Sequence, residues 1–201
     1  MAIYLIRHGE TALNAKRVIQ FPDTPLSERG QAQAEALGER LSTAPVAAIM
    51  CSDYERAHAT ARAVQSATDA PLEIDESLRE RHFGDLRGRA FADLNTDPFA
   101  PGYAPPNGET WEVFHARAAR AWEAVKAVAS RVDGDVVAVT HGLVLRSLCA
   151  HVLPLADGIN AQEASFLNTC LTQVTGPPWT VSLLACDLHL AGDLRAAGGK
   201  V

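Results

Sequence analysis

IYLIRHGETALN, residues 3–14, runs four mostly apolar residues directly into a cation, a titratable ring and a glycine. Short continuous apolar runs of this kind are the mark of strands buried on both faces of a parallel sheet. A strand that only had to stop could end in any polar turn, so the Arg7-His8 ending calls for a chemical reason. The run over residues 2–6 (AIYLI) has counterparts at 46–51 (VAAIMC) and 136–139 (VVAV). Each of the three is followed by helical spacing.

After the first run, Ser27 is the expected N-cap of a helix reaching Leu41, with Ala34, Leu37 and Leu41 on one face. After the second, Ser52 and Asp53 are the expected cap residues of a helix that places Ala57, Ala61 and Val64 on one side. Residues 111–131 repeat Trp111, Phe114, Ala118, Trp122 and Val125 at helical spacing until Asp133-Gly134 breaks the pattern. After the third strand, Thr140-His141-Gly142 forms a turn into a helix that stops before Pro154. FLNTCLTQVT (166–175) and WTVSLLAC (179–186), joined through Gly176-Pro177-Pro178, read as a hairpin added to the sheet. Strand and helix alternate, which implies an α/β fold with helices on both faces of a mostly parallel sheet and an antiparallel C-terminal strand. Residues 191–201 read as a tail.

Nothing in residues 1–201 divides the chain, so one domain is expected, and the length suffices for one sizeable core. Residues 75–110 stand apart, with charge clusters leading into a Pro/Gly-rich run. A loop of that length in a compact domain is usually functional, so this segment is expected to cover the site as a lid or to select the substrate.

A net charge of -6 argues against nucleic acid or an anionic membrane as partner, because both demand a basic surface. No apolar run approaches the roughly 20 residues that span a bilayer, and a cytoplasmic location is expected. Cys51, Cys149, Cys170 and Cys186 are scattered without metal-ligand or redox spacing and read as buried thiols. The pattern calls for neither metal nor cofactor.

Ligands of open α/β sheets bind beyond the carboxyl ends of the strands. Three such ends carry chemistry: Arg7-His8, Ser52 to Arg56, and Thr140-His141-Gly142. Two histidines and two arginines meeting there would suit a phosphoryl group, since an arginine fork matches two phosphate oxygens. The ordered blocks LIRHGETALN, PLSERGQAQA, CSDYERAHATA, LRERHFGDLRG, NGET and VTHG resemble the successive motifs of the histidine phosphatase superfamily, its phosphoglycerate-mutase-like branch, over nearly the whole chain.

The resemblance implies a three-layer α/β/α sandwich. It further implies that His8 is the nucleophile, that Arg7, Arg56 and His141 hold the phosphoryl oxygens, and that Glu80 is the general acid and base. Asn14 and Gln20 would add neutral donors, Gly142 would allow close backbone approach, and Arg81, with Arg87 and Arg89, would favour a second anionic group. A small phosphorylated substrate is the expected partner, and a homodimer stays open. Phe21 stands where many members have Gly, and Leu86 and Arg87 where many phosphatases have Trp and Glu. Phe83 replaces a tyrosine of the mutases. Phosphatase is the leading expectation, with a cofactor-dependent phosphoglycerate mutase and a phosphoprotein or phosphohistidine phosphatase as alternatives.

Overall fold

The computed structural model describes residues 1–195. In chain order, the regular elements are β1 (Ala2–Arg7), α1 (Ala12–Ala15), α2 (Glu28–Leu41), β2 (Val46–Cys51), α3 (Glu55–Thr68), β3 (Leu72–Ile74), α4 (Trp111–Ala129), β4 (Asp135–Thr140), α5 (Gly142–His151), β5 (Leu171–Thr175) and β6 (Thr180–Cys186). The strands form one sheet in the order β3-β2-β4-β1-β5-β6. Pairing is parallel from β3 through β1, and β5 and β6 add antiparallel at the far edge. The fold is the expected α/β sandwich.

Alternation along β1 divides its side chains between two layers, as a pleated strand requires. Ile3 and Leu5 pack with Phe114, Ala118 and Trp122 of α4 and with Leu145 and Leu148 of α5. Ile6 packs on the other face with Leu37 and Leu41 of α2 and with Ala57, Ala61 and Val64 of α3. The aromatic stripe of α4 is therefore core, with Phe114 and Trp122 both buried. Ser27 caps α2 as expected, its side chain accepting from the Gly30 N–H. All four cysteines are free and buried. Among the described residues no helix is long and apolar enough to cross a membrane.

Three readings of the sequence need correction. Ser52 and Asp53 do not cap α3; Tyr54 occupies the N-cap position without a side-chain hydrogen bond. Residues 166–170 are irregular with a turn at 168–169, not strand, and β5 begins at Leu171. The expected tail is partly ordered: Gly192–Arg195 form a 3-10 turn, and Gln33 Nε2 donates to the Leu194 carbonyl at 2.8 Å. Residues 196–201 of that tail lie outside the described residues.

Residues 75–110 fold as a wall held together from within by one buried side chain. Arg81 Nη1 donates to the Pro98 carbonyl at 2.9 Å and Nη2 to that of Tyr103 at 2.6 Å. Its Nε and Nη2 both reach the Glu109 carbonyl, at 3.2 and 3.0 Å. The guanidinium lies 3.7 Å from the Trp111 ring centroid, and the indole N–H in turn donates to the Ala100 carbonyl. Four of its five guanidinium N–H donors are therefore engaged by main-chain carbonyls, so the structure places Arg81 as a wall residue and not as the free substrate-binding cation expected from the sequence.

Arg81→Met keeps much of the apolar stem and removes the donors. It should destabilise the protein by about 1–3 kcal/mol, from carbonyls left unsatisfied. Hydrogen exchange should rise across residues 98–110 well before it rises in β1 or β4, and uniform exchange across the chain would refute the pinning role.

Candidate active site

The β1–β4 register brings the two histidines together. Arg7 lies opposite Thr140, and the ladder continues beyond the strand with the His8 N–H donating to the Thr140 carbonyl at 2.9 Å. On the other side of β4, the Ser52 N–H donates to the Val139 carbonyl, so all three strand ends finish level. Arg56 enters from the first turn of α3, and His141 is the N-cap residue of α5. The His8 and His141 rings stand 5.1 Å apart in an edge-on arrangement. Arg7, His8, Arg56 and His141 are each no more than 2% exposed.

Burial together with neighbouring cations holds both imidazoles neutral. Desolvation is the larger cause and pushes His8 well below its ordinary value, and Arg56 and then Arg7 push in the same direction. Desolvation, Arg56 and His8 do the same to His141. Burial lowers Arg7 and brings Arg56 down to about 10, which still leaves Arg56 charged at neutral pH.

The neutral His8 ring has a determined tautomer. Nδ1 lies 2.7 Å from the Gly9 carbonyl, an acceptor, so Nδ1 carries the proton. Nε2 keeps its lone pair, and Arg56 Nε donates to it at 3.2 Å. The result is an imidazole whose nucleophilic nitrogen faces a guanidinium. His141 Nε2 meets Ser52 Oγ at 3.0 Å, while its buried Nδ1 has no hydrogen-bond partner.

Glu80 sits beyond the short turn Glu76–Leu78, with Oε1 accepting from the Arg81 N–H at 2.9 Å and Oε2 from the Leu143 N–H at 3.3 Å. Burial raises its pKa against the opposing pull of those two N–H groups, Arg56 and Arg7. Its main chain is clamped from behind. Arg117 donates to the carbonyls of Ser77, Arg79 and Glu80, and pairs with Glu109 at 2.7 Å. Glu109 also accepts from the His82 N–H.

The remaining sequence-named residues divide. Asn14 is buried beside the site, its Oδ1 accepting from Asn168 Nδ2 at 3.3 Å, and Gln20 lines the adjoining cleft with Oε1 accepting from Thr11. Gly142 opens α5, and the neighbouring Leu143 N–H is spent on Glu80. Gly9 is required for a reason other than ligand approach: a Cβ there would stand 2.5 Å from the Gly30 carbonyl oxygen, so it lets α2 close against the strand end. Glu10 serves the same junction, pairing with Arg29 and accepting from Ser27 Oγ.

Asn168 and the residue 166 carbonyl escaped the sequence reading, and Ser52, read there as a cap residue at a strand end, is instead the hydrogen-bond partner of His141. Asn168 Nδ2 donates to the His8 carbonyl at 3.0 Å, and Arg7 Nη1 donates to the Phe166 carbonyl at 2.5 Å. Only the polar Asn168-Thr169 pair inside an apolar run hinted at them.

Depressed histidines carry a definite sign for stability. Above about 6.5, the ordinary value, His8 and His141 are neutral folded or unfolded and contribute no pH dependence; below it the unfolded chain takes up protons that the folded chain refuses. Two outcomes are expected: nitrogen chemical shifts that keep both rings neutral at pH 6, and a folding free energy that falls as pH drops below 6.5. Rings already protonated at pH 6 would contradict this electrostatic account.

Comparison with known proteins agrees with this geometry. Residues 3–186 match the model of the histidine phosphatase superfamily (branch 1). Phosphoglycerate mutase-like protein 4 of Arabidopsis thaliana is 32% identical, over 98% of this chain and 91% of its own. The adenosylcobalamin/alpha-ribazole phosphatase of Salmonella typhimurium is 35% identical, over 77% of this chain and 81% of its own. A solved structure of a mycobacterial glucosyl-3-phosphoglycerate phosphatase in complex with VO3 superposes with a TM-score of 0.78 at 30% identity, covering 92% of this chain and 98% of that one. With a match spanning nearly the whole chain and the two histidines juxtaposed at the sheet edge, the protein belongs to branch 1 of the histidine phosphatase superfamily.

Proposed function

We propose that this chain, a phosphoric monoester hydrolase by its family, hydrolyses small phosphomonoesters without a metal and through a phosphohistidine on His8. The observation that carries the reading is the His8 ring itself, neutral, fixed by the Gly9 carbonyl, and presenting Nε2 to Arg56 inside a buried cationic pocket.

In the first step the Nε2 lone pair attacks phosphorus and the bond to the leaving oxygen breaks. Charge on the equatorial oxygens is met by Arg7, Arg56 and His141, donors already in place before reaction. A bound phosphoryl group replaces His8 as the partner of Arg56 Nε. Glu80, whose pKa burial raises, acts as the general acid and passes a proton to the departing alkoxide. In the second step the Glu80 carboxylate takes a proton from water, the water oxygen attacks phosphorus, and the P–N bond breaks. His8 regains its lone pair and phosphate leaves. Among the described residues no three His, Cys, Asp or Glu side chains group as a metal site, and the arginines supply the positive charge this mechanism needs.

Phosphate release from an alkyl phosphomonoester in the presence of chelator tests the proposal. His8→Ala should abolish it, and acid quenching of the wild type should destroy a phosphoenzyme that alkaline quenching preserves. Glu80→Gln should slow an alkyl ester by about 10²–10⁴-fold. The same variant should slow 4-nitrophenyl phosphate far less, because that leaving group needs no proton. Turnover that stops with chelator would overturn the metal-free reading, and a bisphosphoglycerate-primed isomerisation without net hydrolysis would replace phosphatase by mutase.

A further inference from the structure

The cleft that opens from Arg56 and Glu80 is built from two chain segments pinned together over the site. The segment after α1 and the wall segment run side by side: Val18 bridges Ala90 in antiparallel fashion, the Ile19 N–H donates to the Arg89 carbonyl, the Gly88 N–H to that of Ile19, and the Phe91 N–H to that of Arg17. This pairing fixes the cleft's side walls.

Those walls are mostly apolar. Val18, Ile19, Phe83, Phe91, Phe99 and Leu143 line a space of about 680 Å³, including its open mouth. The three phenylalanines form a connected set, with Phe91 stacked on Phe99 at 5.4 Å and Phe83 edge-on to Phe99 at 6.1 Å. The acceptors of the polar lining are engaged, Asn14 Oδ1 among them by Asn168. Gln20 Oε1 is held by Thr11, Tyr54 Oη by Arg87, and Arg81 by the wall carbonyls. Glu80 is the one carboxylate among the lining residues.

Arg17 and Arg87 also line the cleft. Arg87 Nη2 donates to Tyr54 Oη at 2.9 Å, and Arg17 lies 5.8 Å from the Phe91 ring centroid. Neither has an ion pair to a carboxylate among the described residues, in a chain of net charge -6. A sugar leaving group could accept hydrogen bonds from the arginines, but its hydroxyl hydrogens would meet few free acceptors on these walls. A ring would instead bury apolar surface against Phe91 and Phe99.

We propose, resting on the phosphatase reading above, that the preferred substrates are phosphomonoesters whose leaving group is a largely apolar, ring-bearing body carrying a second anionic group that meets Arg87 and Arg17. The apolar body lies along the phenylalanine wall while the phosphoryl group occupies the histidine pocket. The second anion completes the charge that the two arginines lack.

The test compares esters whose leaving alkoxides are chemically alike, so that bond reactivity does not set the order: 4-carboxybenzyl phosphate, benzyl phosphate, glucose 6-phosphate and 3-phosphoglycerate. In kcat/KM, benzyl phosphate should exceed glucose 6-phosphate by about tenfold or more, the gain expected from burying one ring. The carboxybenzyl ester should exceed both benzyl phosphate and 3-phosphoglycerate. Phe91→Ala should collapse the benzyl-to-glucose ratio, and Arg87→Met should bring the carboxybenzyl-to-benzyl ratio toward one. Equal or better turnover of glucose 6-phosphate or 3-phosphoglycerate would overturn the proposal.

Calorimetry on His8→Ala with 4-carboxybenzylphosphonate, benzylphosphonate and glucose 6-phosphate separates this claim from the catalytic one. If the wild type hydrolyses no ester yet the phosphonates bind in the expected order, the catalytic reading fails and the cleft assignment stands. If glucose 6-phosphate binds as tightly as the phosphonates, the cleft assignment fails whatever the turnover.

Discussion

The parallel pairing of β1 with β4 is the constraint on which the site depends. Opposing Arg7 to Thr140 sets His8 and His141, distant in sequence, with their rings 5.1 Å apart. A slip of one residue would exchange the two faces of β1, sending Ile3 and Leu5 toward α2 and α3 and Ile6 toward α4 and α5. Two cores of different shape would then both be mispacked. The register that aligns the histidines is thus the one the hydrophobic layers enforce, and the precision of the site is inherited from the core.

That location makes the site costly to charge. Cations gathered in a buried place raise each other's energy, and the protein answers by different means for different groups. The arginines keep their charge and find acceptors, as Arg7 does at the Phe166 carbonyl and Arg56 at His8 Nε2. The histidines give up theirs. Glu80 is moved the opposite way, its pKa raised by burial even with two N–H donors and two arginines favouring the carboxylate. One desolvated environment thereby favours the uncharged form of both kinds of group, leaving a lone pair free on the imidazole and favouring the proton on the carboxyl, which is the combination a phosphoryl transfer to nitrogen with a protonated leaving group requires.

Much of this was legible in the sequence because it rests on local pattern. Continuous apolar runs marked β1, β2 and β4, and helical spacing marked α2 to α5. Arg7, His8, Arg56 and His141 announced themselves by ending strands or starting helices. The misses share another cause. β3 spans three residues with Glu73 and Ile74 exposed, too short for alternation to register. Residues 166–170 have the composition of a strand, yet their work is done by main-chain carbonyls and Asn168, which bind Arg7 and His8 across the sheet. Arg81 looked like a ligand-binding cation because a charge cluster does not reveal which member is buried. Its partners are carbonyls, and carbonyls carry no sequence signature.

The same contrast orders the two halves of the site. The half around His8 and His141 is held by strand ends and helix starts, and needs only residue types at fixed registers. The cleft half is held by loop pairing, Val18 against Ala90 and Ile19 against Gly88 and Arg89, and by Arg81 behind the wall. Loop walls can change side chains without disturbing the sheet, so selectivity can vary while the chemistry stays fixed. Phe21 illustrates the coupling between the halves. Its carbonyl accepts from Arg56 Nη1 at 2.9 Å, and a Cβ on Gly88 would stand 2.8 Å from its ring tip. Gly88, with φ of +83°, therefore lets the wall turn beneath a residue whose main chain orients Arg56. The position of the cleft is thus tied to the strand-end site through that contact.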